Sequence, residues 1–124
     1  MAKTFHRNLR LAGDSRMFLD RGTGTDSSQA VTIQKPMGKI TSSTTNLAAA
    51  TTEAITLTCR YATANSVIAH HVDGGGNGDP VMSKVTPTAG QIVFTVLNAD
   101  QSNACNAAYT ISYAIISSGS DDAI

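Results

Sequence analysis

Apolar residues recur at every second position through most of this chain. In residues 107–116, Tyr109, Ile111, Tyr113 and Ile115 share one face of an extended segment, and Ala108, Thr110, Ser112 and Ala114 share the other. That period marks a half-buried β-strand. Residues 54–60 alternate as cleanly, with Ile55, Leu57 and Cys59 set against Thr56 and Thr58. Residues 90–98 place Ile92, Phe94 and Val96 on one face and Gln91, Val93, Thr95 and Leu97 on the other. Two partly apolar faces predict a strand that is central or covered by another layer. Shorter strands are expected at 30–33, from Gly38, at 66–72 and at 81–85, the last closed by Pro87.

Turn chemistry separates these segments. DGGGNGDP at 73–80 is the most glycine-dense stretch and reads as a turn or mobile loop. In the Thr-rich run 41–54, Asn46 caps at most one helical turn, so a loop carrying Leu47 into the core is expected. Residues 1–28 keep neither period for long. They read as an extended arm with one or two short strands, 15–19 among the candidates, and with 21–28 a loop by composition. Strands alternate with turn signals and no useful helical period appears. The chain is therefore expected to be all-β: an antiparallel β-sandwich or jelly-roll-like domain at 30–118, an extended N-terminal arm at 1–29 and a short acidic tail at 119–124.

Composition sharpens this picture in two ways. At 124 residues the chain is long enough for one domain with a real core, and its charged share is only 15%. Thr, Ser, Ala, Asn and Gly take the place of charge, which gives small uncharged faces suited to contact with other protein. The formal net charge of zero also hides an asymmetry. Lys3, Arg7, Arg10, Arg16, Arg21, Lys35 and Lys39 face only Asp14, Asp20 and Asp26 in the first third, a net +4. Arg60 and Lys84 face six acidic residues in the remainder, a net −4. A basic arm on an acidic body is either a solvated segment or one that lies on an acidic neighbour, another copy or a different protein. Nucleic acid is not an expected partner, because no aromatic residues interleave the basic ones. No apolar run approaches the roughly 20 residues of a membrane span. AKTFHRNLRLAGD lacks the apolar core of a secretory leader, so cytoplasmic synthesis without the usual export is expected.

Candidate chemistry is sparse. His70 and His71 are adjacent on a strand and point to opposite faces, so they cannot jointly chelate one metal. Asp73, Asn77 and Asp79 loosely echo a calcium loop, but Gly75 replaces a ligand position and no glutamate closes the loop. The glycine runs at 22–25 and 74–78 match no phosphate-binding fingerprint. There is no GxSxG, and Glu53 is the only glutamate. No enzyme, cofactor or metal site is expected. Tyr109 and Tyr113 share the face of Ile111 and Ile115, which favours core packing over a sugar platform. Cys59 and Cys105 form no CxxC or zinc pattern; a disulfide between them stands beside two reduced thiols, which a reducing compartment favours.

From Gly38 onward the order of motifs resembles a β-rich module that recurs in bacteriophage structural proteins. Gly38 to Thr41 matches its G-x-I/A-T opening, and Ile55 to Thr58 its I-T-L-T strand. Thr63 to Ile68 matches a T-A-N/T-S-x-V/I turn and strand, Ala89 to Asn98 a strand ending in Asn, and Tyr109 to Ile116 the closing aromatic-x-I-x-F/Y-A-I-I strand. The resemblance covers about two thirds of the chain. Cys59, where Asn is commoner, and the His70–His71 pair depart from it. It implies a virion protein: a head decoration protein, or a tail, fibre or receptor-binding module. One module plus an arm fits a capsid decoration (cement) protein on the outer capsid surface. Its expected partners are the major capsid protein and further copies of itself, a trimer being natural. Lys3, Arg7, Arg10, Arg16 and Arg21 are the candidate capsid-contact residues.

Overall fold

The structure, a computed structural model, describes residues 20–117. Eight strands follow one another: β1 (Arg21–Thr25), β2 (Ala30–Thr32), β3 (Met37–Thr41), β4 (Thr52–Thr58), β5 (Val67–Gly74), β6 (Pro80–Thr88), β7 (Gln91–Asn98) and β8 (Tyr109–Ser117). No helix occurs among the described residues. The strands form two four-stranded sheets packed as a β-sandwich, in the orders β1-β3-β8-β5 and β2-β4-β7-β6. β7 and β8 each lie between two neighbours, as two apolar faces on β7 had implied.

The sheets are mixed rather than purely antiparallel. β1 pairs β3 in parallel and β2 pairs β4 in parallel, while the remaining ladders are antiparallel. The cause is the route of the first four strands, which alternate between sheets. Each connection reverses direction, so a strand and the next but one run the same way side by side. Short connections cannot join parallel neighbours within one sheet, but they can cross between two.

Two local expectations change. Residues 21–25 form a strand, so the sandwich begins at Arg21 rather than at 30. RGTGT gives no hydrophobic alternation because its inward positions are glycines: a Cβ at Gly22 would lie 2.6 Å from Ile33 Cγ2, and one at Gly24 2.8 Å from Val31 Cγ2. Side chains from the opposite sheet fill the space that β1 leaves. Pro87 does not close β6; it pairs with Ile92 inside the strand. β6 is an edge strand, where a missing N–H costs no ladder bond. Of the 41–54 run, residues 42–51 are a loop that buries Leu47, as expected, while β4 takes up the run from Thr52.

The core is formed by the inward face of each sheet. Ile40, Ile55, Leu57, Ile92, Phe94, Tyr109 and Ile111 have no exposed surface. Phe94 and Tyr113 meet across the sheets with ring centroids 6.1 Å apart. Tyr113 fits only because residue 38 lacks a side chain: a Cβ there would lie 2.7 Å from the ring and 3.0 Å from the Gly22 carbonyl. Gly38→Ala should therefore destabilise the fold by about 1–3 kcal/mol through overpacking. Urea unfolding followed by circular dichroism measures this, and an unchanged midpoint would show that the ring moves aside freely.

Candidate functional site

The buried polar groups are committed to holding the sandwich together. Asp26 ends β1, and its carboxylate accepts bonds from Gln29 N at 3.0 Å, Ser43 N at 2.6 Å and Ser43 Oγ at 2.9 Å. The first of these holds a turn in which Ser28 and Gln29 both adopt positive φ, 50° and 66°. Glu53, on β4, accepts the Tyr109 hydroxyl from the opposite sheet on one oxygen. Its other oxygen accepts the Thr44 hydroxyl and, at 3.2 Å, Gln29 Nε2. Burial, and then the bond to Glu53, push the Tyr109 hydroxyl well above the usual phenol range. Burial does the same to Tyr113, whose hydroxyl donates to the Lys35 carbonyl at 2.9 Å. Neither tyrosine offers a reactive or sugar-stacking surface.

The other candidates are also structural. Cys59 and Cys105 are both free and buried. Cys105 packs into the glycine turn, where a Cβ on Gly78 would lie 2.5 Å from its sulfur. Burial, then the charges of Asp79 and Asp100, raise its thiol pKa, which makes it a poor nucleophile. In the 73–80 turn Asn77 N donates to Asn106 Oδ1 at 2.7 Å, and Asp73 accepts its neighbour Gly74 N. Among the described residues no group of three or more His, Cys, Asp or Glu is placed to hold a metal ion. None of their helices could cross a membrane, since there are none.

Both sheets leave their outer faces open, and a groove among the described residues lies on that of the β1-β3-β8-β5 sheet. The registers order this face into rows: Arg21, Met37, Ala114, Ala69; then Thr23, Lys39, Ser112, His71; then Thr25, Thr41, Thr110, Asp73. Arg21, Lys39, Ala69 and His71 are exposed, while Met37, Ser112 and Ala114 are half-buried. A shallow open groove of about 240 Å³ runs between Met37 and the β5 side of this face, floored by Ala114 and Ser112. Beyond the first row, Ile116 is 68% exposed and Val67 56%, two of the three large apolar side chains most open to solvent among the described residues. His71 lies on this face and His70 on the other, as strand alternation requires.

Charge is segregated along the sandwich. Asp26, Glu53, Asp73, Asp79 and Asp100 all lie at the end where β8 begins and β4 starts. Arg21, Lys35 and Arg60 lie at the other end, where Lys35 Nζ meets Asp20 at 2.7 Å and lowers the pKa of that carboxyl. Both the residues before 20 and those after 117 join the sandwich at this basic end. Of the five candidate contact residues, Arg21 opens β1 on the edge of the outer face. Lys3, Arg7, Arg10 and Arg16 lie outside the described residues. No local pattern marks Met37, Lys39, Ala69 and Ile116 as surface neighbours; they belong to three strands, and only the register brings them together. No known protein family, curated protein or solved structure matches this chain.

Proposed function

We propose that this protein is a bacteriophage capsid decoration (cement) protein. It binds the outer capsid surface and stabilises the head through contacts with the major capsid protein and with its own copies, a trimer being the expected form. The reading is carried by one observation: an ordered sheet face built largely of Thr, Ser and Ala and carrying Arg21, Lys39 and Asp73, with an exposed apolar corner, on a sandwich whose described buried polar groups are hydrogen-bonded internally. Such a face can bind protein but offers little for catalysis. The resemblance of residues 38–116 to modules of phage virions supplies the capsid as partner. Weak contacts repeated over a lattice then add through effective concentration.

The basic side chains before the sandwich are the second point of attachment. Removing the whole segment before β2 would also remove β1. Instead Lys3, Arg7, Arg10 and Arg16 are changed to Gln in the full chain. Co-sedimentation with capsids stripped of this protein should then fall by about tenfold or more near physiological salt, with an unchanged melting temperature. Unchanged binding would exclude the arm as a contact. Copy number in purified virions addresses the position: hundreds of copies fit cement, whereas a handful point to a tail or fibre module.

A further inference from the structure

We infer that the outer face of the β1-β3-β8-β5 sheet is the surface that seats on the partner, and that the partner presents acidic groups around an apolar centre. The inference rests on the capsid reading for the partner's identity, and on the face alone for its chemistry. Ile116 and Val67 stand in solvent where β8 and β5 meet, and Ala69, Ala114 and Met37 continue the apolar surface into the groove. Contiguous apolar surface rimmed by polar groups marks a contact site more reliably than scattered exposed residues do. Arg21 and Lys39 supply the rim. The one ion pair among the described residues joins Lys35 to Asp20, so no described acid pairs with Arg21 or Lys39. Among the described residues Asp73 is the only acid on the face, at the corner diagonal to Arg21, and it is bonded to Gly74 N.

A second copy packed face to face is disfavoured by the position of Lys39. It lies on an inner strand in the middle row, beside the centre of the grid. A twofold axis through that centre would bring two lysines together without acids between them, and like charges in a contact oppose association. Size points the same way. Four strands about 4.8 Å apart and rows spanning about 14 Å cover on the order of 200 Å² in projection, against about 800 Å² per partner in a stable interface. The face is thus one part of a composite contact. Arg21 links it to the basic segment that enters at the same end, and an acidic partner surface satisfies both.

Three single substitutions in the full chain test this, each checked for an unchanged melting temperature. Lys39→Glu and Ala69→Asp alter the face at exposed positions, and Lys84→Glu changes an exposed lysine on the outside of the other sheet. Co-sedimentation with stripped capsids should weaken by about tenfold or more for the first two, and the K39E loss should shrink as salt rises, while K84E stays within about twofold of the parent. If the parent binds and folded K39E and A69D bind as well as it does, the face is not the contact, although the capsid reading survives. If the parent does not bind, both fall. Sedimentation velocity covers the other occupants: a dimer of the parent lost in A69D would assign the face to a second copy. Tighter capsid binding by the Asp121→Asn, Asp122→Asn double variant would assign it to the chain's own tail. Either result overturns the inference.

Discussion

Replacing Asn98 with alanine is expected to cost on the order of 3–5 kcal/mol, a large share of the 5–15 kcal/mol that holds a typical domain folded. Asn98 ends β7 with no exposed surface. Its Nδ2 donates to the carbonyls of Leu47 at 3.1 Å, Ala48 at 3.3 Å and Asn103 at 2.9 Å. Its Oδ1 accepts Asp79 N at 2.9 Å and Asp100 N at 3.1 Å. One amide therefore satisfies backbone groups from three loops at the acidic end of the sandwich. Alanine removes all five bonds at once; the Leu47 and Ala48 carbonyls keep Cys105 N and Thr51 N, but the part-buried Asn103 carbonyl and the N–H groups of Asp79 and Asp100 lose their partner. Asn98→Asp keeps the shape and the acceptor but turns an oxygen toward three carbonyls, so it should not rescue stability at neutral pH. Urea unfolding measures both variants. A loss below about 1 kcal/mol for N98A would mean that the loops hold their conformation without the amide.

The second large effect is expected at Glu53. A carboxylate only accepts, which suits a position facing the hydroxyls of Tyr109 and Thr44 and the amide of Gln29. Glu53→Gln replaces one accepting oxygen with a donor that faces another donor, and should cost about 2–4 kcal/mol. Tyr109→Phe alone leaves one buried oxygen without its donor and should cost about 1–3 kcal/mol. In a cycle built from Glu53→Ala and Tyr109→Phe, the double variant should lose about 1–2 kcal/mol less than the sum of the singles, because the two groups share one bond across the sheets. Strict additivity would show that the bond contributes nothing specific to joining them.

Most of the strands were legible because their inward residues are large and apolar. β4, β7 and β8 alternate plainly, and the burial of Tyr109 and Tyr113 follows from the company they keep. β1 was hidden for the opposite reason: its inward residues are Gly22 and Gly24, whose role is to leave room for side chains of the other sheet. Composition cannot distinguish a glycine that loosens a loop from one that admits a neighbour. Pro87 misled in a similar way, since a proline ends an inner strand but is tolerated on an edge, and edge position is a property of the whole sheet. The parallel pairs were equally invisible, because pairing direction depends on which sheet each strand enters.

The candidate surface divides along the same line. The sequence by itself determined that this chain is all-β, that seven of its nine basic residues lie before residue 40, and that Thr, Ser and Ala take the place of most charge. These are sums and periods along one strand at a time. Only the tertiary structure decided that five of the six described acids collect at one end, that Glu53 and Asn98 are spent on internal bonds, and that Arg21, Met37, Lys39, Ala69 and Ile116 share one open face. Those residues come from four strands, and their meeting depends on the register of three ladders, which no local pattern encodes.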